Sequence, residues 1–161
     1  MNRTAAETTP RPAALRWVMI LLVALLAVLA VLPVMMAVDS GTTIETILRE
    51  NPALGPAGLD FAFAATIAYA AVLHLVYGAV AFWLGWKAVR GRRWARVALT
   101  VVLVLATLNS IDSATSGPEY FWWAIGGDVI HLAIIGLLWI PAPVRAYFAA
   151  HRAASAPPRV D

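Results

Sequence analysis

The chain has 161 residues, of which 61% are hydrophobic and 13% are charged, and its formal net charge is +3. A soluble domain is nearer half apolar and a quarter charged, so this composition excludes an ordinary water-soluble globule. The sequence contains no cysteine, which excludes disulfides, thiolate metal sites and iron–sulfur clusters.

Four long apolar segments follow one another along the chain. A helix needs about 20 apolar residues to cross the hydrocarbon core of a bilayer. We therefore predict an all-α, transmembrane four-helix bundle that forms one membrane domain over residues 1–161. The predicted spans are 17–37, 61–86, 94–111 and 120–140. The tails 1–14 and 152–161 are rich in Ala, Pro, Ser and Thr, which predicts disorder.

The first apolar segment is preceded by basic residues, as in a cleaved signal peptide. However, 17–37 is longer than the apolar core of a signal peptide, which has about 7–15 residues. Met35-Met36-Ala37 also matches an A-x-A cleavage site poorly. We therefore predict that this segment remains as a membrane anchor.

The segment 38–60 separates the first two spans. Thr42 or Thr43 can cap a short amphipathic helix, whose apolar stripe ends at Leu48, and Asn51-Pro52 then ends the helix. An amphipathic helix of this kind lies on the membrane surface.

The basic residues orient the bundle. Eleven of the twelve Lys and Arg fall before the first span, between the second and third, or after the fourth: Arg3, Arg11, Arg16, Lys87, Arg90, Arg92, Arg93, Arg96, Arg145, Arg152 and Arg159. The positive-inside rule predicts that both termini are cytoplasmic in a multi-pass protein of the bacterial inner (plasma) membrane. The same rule accounts for the arginine cluster, so we predict no nucleic-acid partner. The predicted partners are the lipid bilayer and other membrane proteins or a second copy of this chain.

Five polar residues fall within or at the ends of the predicted spans and predict a buried cluster. His74, Asn109 and His131 each lie 13 or 14 residues from the nearest basic residue at the inner end of their helix, and Asp112 and Asp128 lie about one turn further out. Polar groups at such a depth face the bundle interior and pair with one another. Asp128 and His131 are three residues apart, so one interpretation is a structural cluster in which the carboxylate orients the imidazole.

A second interpretation uses His74 and His131 as ligands of a haem. They lie on the second and fourth spans, with Gly78 and Gly127 one turn away to leave room beside each imidazole. In this respect the chain resembles the membrane cytochromes b, and the resemblance implies a b-type haem in an electron-transfer subunit. That family usually carries two histidines on each helix, whereas this chain has one.

Two further interpretations use the same cluster. His74, Asp128, His131 and Asp112 could hold zinc or iron, since these metals accept mixed imidazole and carboxylate ligands. The same residues could form a proton or ion pathway in an oligomeric transporter. No catalytic nucleophile arrangement, phosphate-binding loop or dinucleotide fingerprint occurs in the sequence, so no catalytic activity is identified.

The segment GRRWARVALT at 91–100, followed by LLWIP at 137–141 and AYF at 146–148, is similar to small four-span membrane proteins of actinobacteria. The likeness covers roughly the C-terminal half. Most such proteins have no assigned activity, so the resemblance implies topology and location and no functional residue. The predicted function is a small membrane accessory or interaction protein.

Overall fold

The computed structural model describes residues 10–116 and 118–155, and within them the side chains of 10–111 and 121–153. These residues form six helices and no strand: α1 Ala13–Val38, α2 Ser40–Glu50, α3 Pro56–Ala88, α4 Arg93–Ser116, α5 Pro118–Trp139 and α6 Ala142–Ser155. Four helices are long and apolar enough to cross a membrane: α1, α3, α4 up to Ile111 and α5 from Phe121. The all-helical fold with four candidate membrane spans is therefore confirmed.

The helix boundaries extend beyond the predicted apolar segments. α3 begins at Pro56, because proline at the first helical position sacrifices only an N–H that would be unpaired there. α6 continues to Ser155, so residues 152–155 of the predicted C-terminal tail are helical. Residues 1–9 and 156–161 lie outside the described residues.

The short helix α2 is capped by Asp39 rather than by a threonine. The Asp39 carboxylate accepts hydrogen bonds from the Thr42 amide at 3.4 Å and from the Thr42 hydroxyl at 2.9 Å. The Thr43 hydroxyl instead donates to the Met36 carbonyl at 2.8 Å, which ties α2 to the last turns of α1. The helix ends where the Asn51 amide donates to the Ile47 carbonyl at 2.9 Å.

The loops at one end of the bundle carry the basic residues, and we call this the basic end; the opposite end, at Val38 and Phe121, is the distal end. Tight apolar packing lies toward the basic end. The largest fully buried side chains are Leu15, Val18, Leu22, Leu25, Leu99, Leu103, Ile134, Leu138, Val144 and Phe148. Gly85 allows α3 to approach α1, because a Cβ at this position would overlap the Leu22 side chain.

The basic end is closed by α6. The Tyr147 hydroxyl donates to the Val89 carbonyl at 3.1 Å, which joins α6 to the turn after α3. Gly91 in this turn has φ 82°, and a Cβ there would overlap the His151 imidazole. The turn therefore needs glycine both for its backbone conformation and for the close approach of α6.

Candidate binding cavity

A cavity of about 620 Å³ lies among the four membrane helices, on the distal side of the tightly packed core. Its apolar wall includes Leu29 and Leu32 of α1 and Leu105 of α4, and small residues such as Ala106 and Gly127 leave the space open. Its polar lining consists of Thr66, Tyr69, His74, Tyr77, Asn109, Ser110 and His131. An apolar cavity with a few convergent polar groups has the composition of a small-molecule binding site.

His131 forms the centre of a hydrogen-bond network at the side of this cavity nearest the basic end. Its side chain is 5% exposed. Nε2 lies 2.9 Å from the Tyr77 hydroxyl on α3, and Nδ1 lies 3.0 Å from the Thr107 hydroxyl on α4. The Tyr77 and His131 rings meet edge-on, with 6.1 Å between their centroids. Three helices are therefore fixed to one another through a single imidazole.

Asp128 extends this network along α5. Its Oδ1 lies 3.4 Å from Nδ1 of His131, one turn away, as the i,i+3 spacing predicted. Both carboxylate oxygens lie 2.7 Å from the Ser110 hydroxyl of α4, which donates to one of them at a time. We call Tyr77, Thr107, Ser110, Asp128 and His131 the His131 network.

His74 lines the cavity but bonds within its own helix. Its Nδ1 lies 2.6 Å from the Ala70 carbonyl, and a carbonyl only accepts, so Nδ1 carries the hydrogen. In the neutral ring, Nε2 is then a hydrogen-bond acceptor. Asn109 lines the same cavity, whereas the side chain of Asp112 lies outside the described residues. Of the predicted cluster, the structure brings Asp128 and His131 into direct contact.

The arrangement does not fit a haem held by two imidazoles. Each axial histidine must offer one ring nitrogen to the iron, and both nitrogens of His131 are engaged by Tyr77 and Thr107. The sequence predicts free space beside His74 at Gly78, but the Leu26 side chain occupies this space. A Cβ added at Gly78 would lie only 2.7 Å from Cδ2 of Leu26. We therefore derive no chemistry through a haem.

The metal interpretation needs at least three convergent ligands. Among the described residues, no group of three or more His, Asp or Glu side chains is placed to hold a metal ion. Asp128 and His131 supply two of the four predicted ligands, and His74 bonds to its own helix instead.

Thr107 and Ser110 belong to the site, although sequence reasoning did not select them. The one sequence feature that indicates them is their spacing, because residues three apart lie on the same face of a helix. Serine and threonine in helices commonly bond to the carbonyl one turn back, and the Ser110 hydroxyl also lies 3.1 Å from the Thr107 carbonyl, as an alternative acceptor to Asp128. Sequence alone therefore does not separate a hydroxyl that bridges two helices from one that bonds locally.

Comparisons with protein-family models, with curated proteins and with solved structures found no match for this chain. The resemblance to actinobacterial four-span proteins therefore stays a prediction, and no match supports the resemblance to membrane cytochromes b. The cavity and the His131 network are the observations from which a function can be inferred.

Proposed function

We propose that this protein is a membrane accessory protein that binds one small, lipid-soluble molecule carrying a hydroxyl group. The observation that carries the proposal is the cavity, which has apolar walls from four helices and a polar side that includes Tyr77, Ser110 and His131 of the His131 network and His74. The volume of about 620 Å³ falls within the range of about 300–1,000 Å³ that small-molecule sites occupy.

The hydroxyl group is inferred from the hydrogen-bond roles of the lining. Asp128 beside Nδ1 of His131 favours the tautomer with hydrogen on Nδ1, so Nε2 accepts from the Tyr77 O–H. The Tyr77 oxygen then keeps an acceptor position toward the cavity. Nε2 of His74 is a second acceptor, one turn away on the same helix. A ligand O–H that reaches either acceptor must donate to it, as that of an alcohol, a phenol or a quinol does.

The apolar walls imply how the molecule arrives. The candidate membrane spans of all four helices contribute lining residues, including Val28 of α1, Leu73 of α3, Val102 of α4 and Ala124 of α5. A cavity at this depth exchanges its contents with lipid rather than with water, so the ligand dissolves in the bilayer. We place no catalytic step at this site.

The proposed orientation puts the basic end in the cytoplasm of a bacterial cell, with both termini inside and α2 on the outer surface. The support is the concentration of Lys and Arg at one end of the bundle. The cavity then lies in the outer half of the bilayer. Reporter fusions after Glu50 and after Ser155 test this: we expect an alkaline phosphatase fusion to be active only after Glu50, and activity only after Ser155 would reverse the orientation.

A pair of matched probes tests the binding proposal. We would measure the thermal midpoint of the detergent-purified full chain with 4-octylphenol and with 4-octylanisole, in which an O–CH3 group replaces the O–H. Since a ligand at 100 times its Kd stabilises the folded state by about 2.7 kcal/mol, binding of the phenol raises the midpoint by several degrees. Equal shifts with the two probes would contradict recognition of a hydroxyl.

Adjacent glycines in α5 provide the variant and its control. Gly127 lines the cavity, Gly126 does not, and nothing lies within 4 Å of a Cβ added at either position. Gly127→Leu places a bulky side chain in the cavity and is expected to reduce strongly the shift with 4-octylphenol. Gly126→Leu gains the same helix propensity and is expected to keep the shift. Equal behaviour of the two variants would place binding outside the cavity.

A further inference from the structure

A second site lies at the basic end and is independent of the cavity. The side chain of Arg96 is 6% exposed, although it stands near the start of α4. Its guanidinium lies over the Trp139 ring at 3.7 Å from the centroid and over the Phe148 ring at 4.6 Å. Its Nε has no hydrogen-bond partner within the described part of the chain. The two aromatic rings therefore shield the charge from water, and the guanidinium lacks a complete set of hydrogen-bond partners.

Two further arginines surround this group. Arg93 precedes Arg96 by one helical turn, and Nη1 of Arg145 donates at 3.1 Å to the carbonyl of Ile140, the residue that follows Trp139 in the chain. We call Arg93, Arg96 and Arg145 the arginine triad.

The structure supplies no counter-ion to the triad from its described side chains. No carboxylate among them forms an ion pair with Arg96. The acidic residues with described side chains lie on the distal side of the bundle or beyond it: Asp39, Glu45, Glu50, Asp60 and Asp128. A charge that is removed from water is normally paired, which favours an anion from outside these residues as its partner.

We infer that the arginine triad binds the phosphate group of an anionic phospholipid in the leaflet at the basic end. Guanidinium groups match phosphate oxygens in geometry and bind them with charge-assisted hydrogen bonds. The triad also lies where a headgroup would be, since Trp139 ends the fourth span and interfacial tryptophans mark this level. The Trp139 indole is fixed by its N–H, which donates to the Thr100 hydroxyl at 2.9 Å. Basic pockets at helix ends are known to recognise anionic headgroups.

The test measures lipid binding to the full chain after delipidation in neutral detergent. Native mass spectrometry gives the apparent Kd for dioleoylphosphatidylglycerol and for dioleoylphosphatidylcholine, and a competition arm adds inorganic phosphate. We expect phosphatidylglycerol to bind at least tenfold more tightly than phosphatidylcholine. We expect millimolar inorganic phosphate to leave that binding unchanged. Displacement by inorganic phosphate would reassign the site to a soluble phosphate and overturn the lipid proposal.

Three single variants separate the triad from the general basic charge of this end. Arg145→Gln is expected to weaken phosphatidylglycerol binding about tenfold, the loss expected for one charge-assisted hydrogen bond. Arg96→Lys keeps the charge but not the planar fork, and we expect a similar loss. Arg92→Gln removes one charge from an exposed position in the adjacent turn and is expected to leave binding unchanged.

Two results would overturn the inference. An equal loss in Arg92→Gln and Arg145→Gln would show that the lipid responds to net charge alone. Unchanged binding in Arg145→Gln would remove the triad from the site. If Arg96→Lys does not fold, Arg93→Gln takes its place, with the same expected loss, because Arg93 is exposed at the start of α4.

Discussion

Replacing Tyr77 with phenylalanine removes one hydroxyl group from the His131 network and leaves the ring in place. The hydroxyl lies 2.9 Å from Nε2 of His131, whose side chain is 5% exposed. The freed nitrogen therefore has no access to water. A buried polar group left unpaired costs about 1–3 kcal/mol in soluble proteins. Hydrogen bonds between membrane helices average about 0.6 kcal/mol and reach about 1.7 kcal/mol.

From these ranges we expect Tyr77→Phe to lower the free energy of unfolding by about 1–2 kcal/mol. Tyr69→Phe is the matched control, because it makes the same chemical change two turns away on α3, where the side chain is 69% exposed. We expect the control to stay within about 0.5 kcal/mol of the wild type. Steric trapping in bicelles measures both values under the same conditions.

A double-mutant cycle with Thr107→Val isolates the coupling through His131. The two hydroxyls bind opposite nitrogens of one ring, so the two substitutions should not be additive. Equal stabilities of Tyr77→Phe and Tyr69→Phe, or strict additivity in the cycle, would refute the reasoning that the imidazole joins the helices.

Two further predictions follow from the packing and from the histidines. Gly85→Ala should destabilise the bundle by about 1–3 kcal/mol, because its Cβ would overlap Leu22 in the tightly packed core. The control Gly126→Ala should be neutral or stabilising by up to about 1 kcal/mol. Unfolding in mixed micelles measures both values, and equal effects of the two substitutions would contradict the close approach of α1 and α3. Protein purified after expression with haem supplied should show no low-spin b-type spectrum when oxidised or dithionite-reduced, since both nitrogens of His131 are engaged. Such a spectrum, lost in both His74→Ala and His131→Ala, would overturn the assignment of the His131 network.

The four membrane helices could be predicted because a bilayer imposes a length and a composition on each span. The contact between Asp128 and His131 could be predicted for a similar reason, since both lie on one helix and their spacing fixes their geometry. Features that depend on a single helix can thus be predicted from the sequence. The helix limits beyond the apolar segments, such as Pro56, follow from local backbone rules rather than from hydropathy.

Features that join different helices could not be predicted in this way. Thr107 is one of several hydroxyl residues on α4, and only the rotation of α4 against α5 places it on His131. The position of Gly78 in the sequence predicts room beside His74, but the small surface of the glycine lets Leu26 of α1 occupy that space. The sequence shows where small and polar residues occur, whereas helix rotation decides whether a small residue creates a cavity or a close contact.

The cavity is another feature that joins different helices and could not be predicted from the sequence. Gly127 and Ala106 line it, while Gly85 and Ala81 are buried in tight packing nearer the basic end. Both pairs consist of one glycine and one alanine in long apolar helices. The difference between them arises from the large side chains that face them, such as Leu22 opposite Gly85, and these facing partners are set by the assembled bundle.

The most direct test of the central claim is native mass spectrometry of the full chain released from bacterial membranes in mild detergent. The wild type and Gly126→Leu should each carry one bound lipid-soluble molecule with a hydroxyl group, identified by fragmentation, and Gly127→Leu should lack it. A wild-type protein without such a molecule, or the same molecule bound equally in Gly127→Leu, would contradict the assignment of the cavity as the binding site.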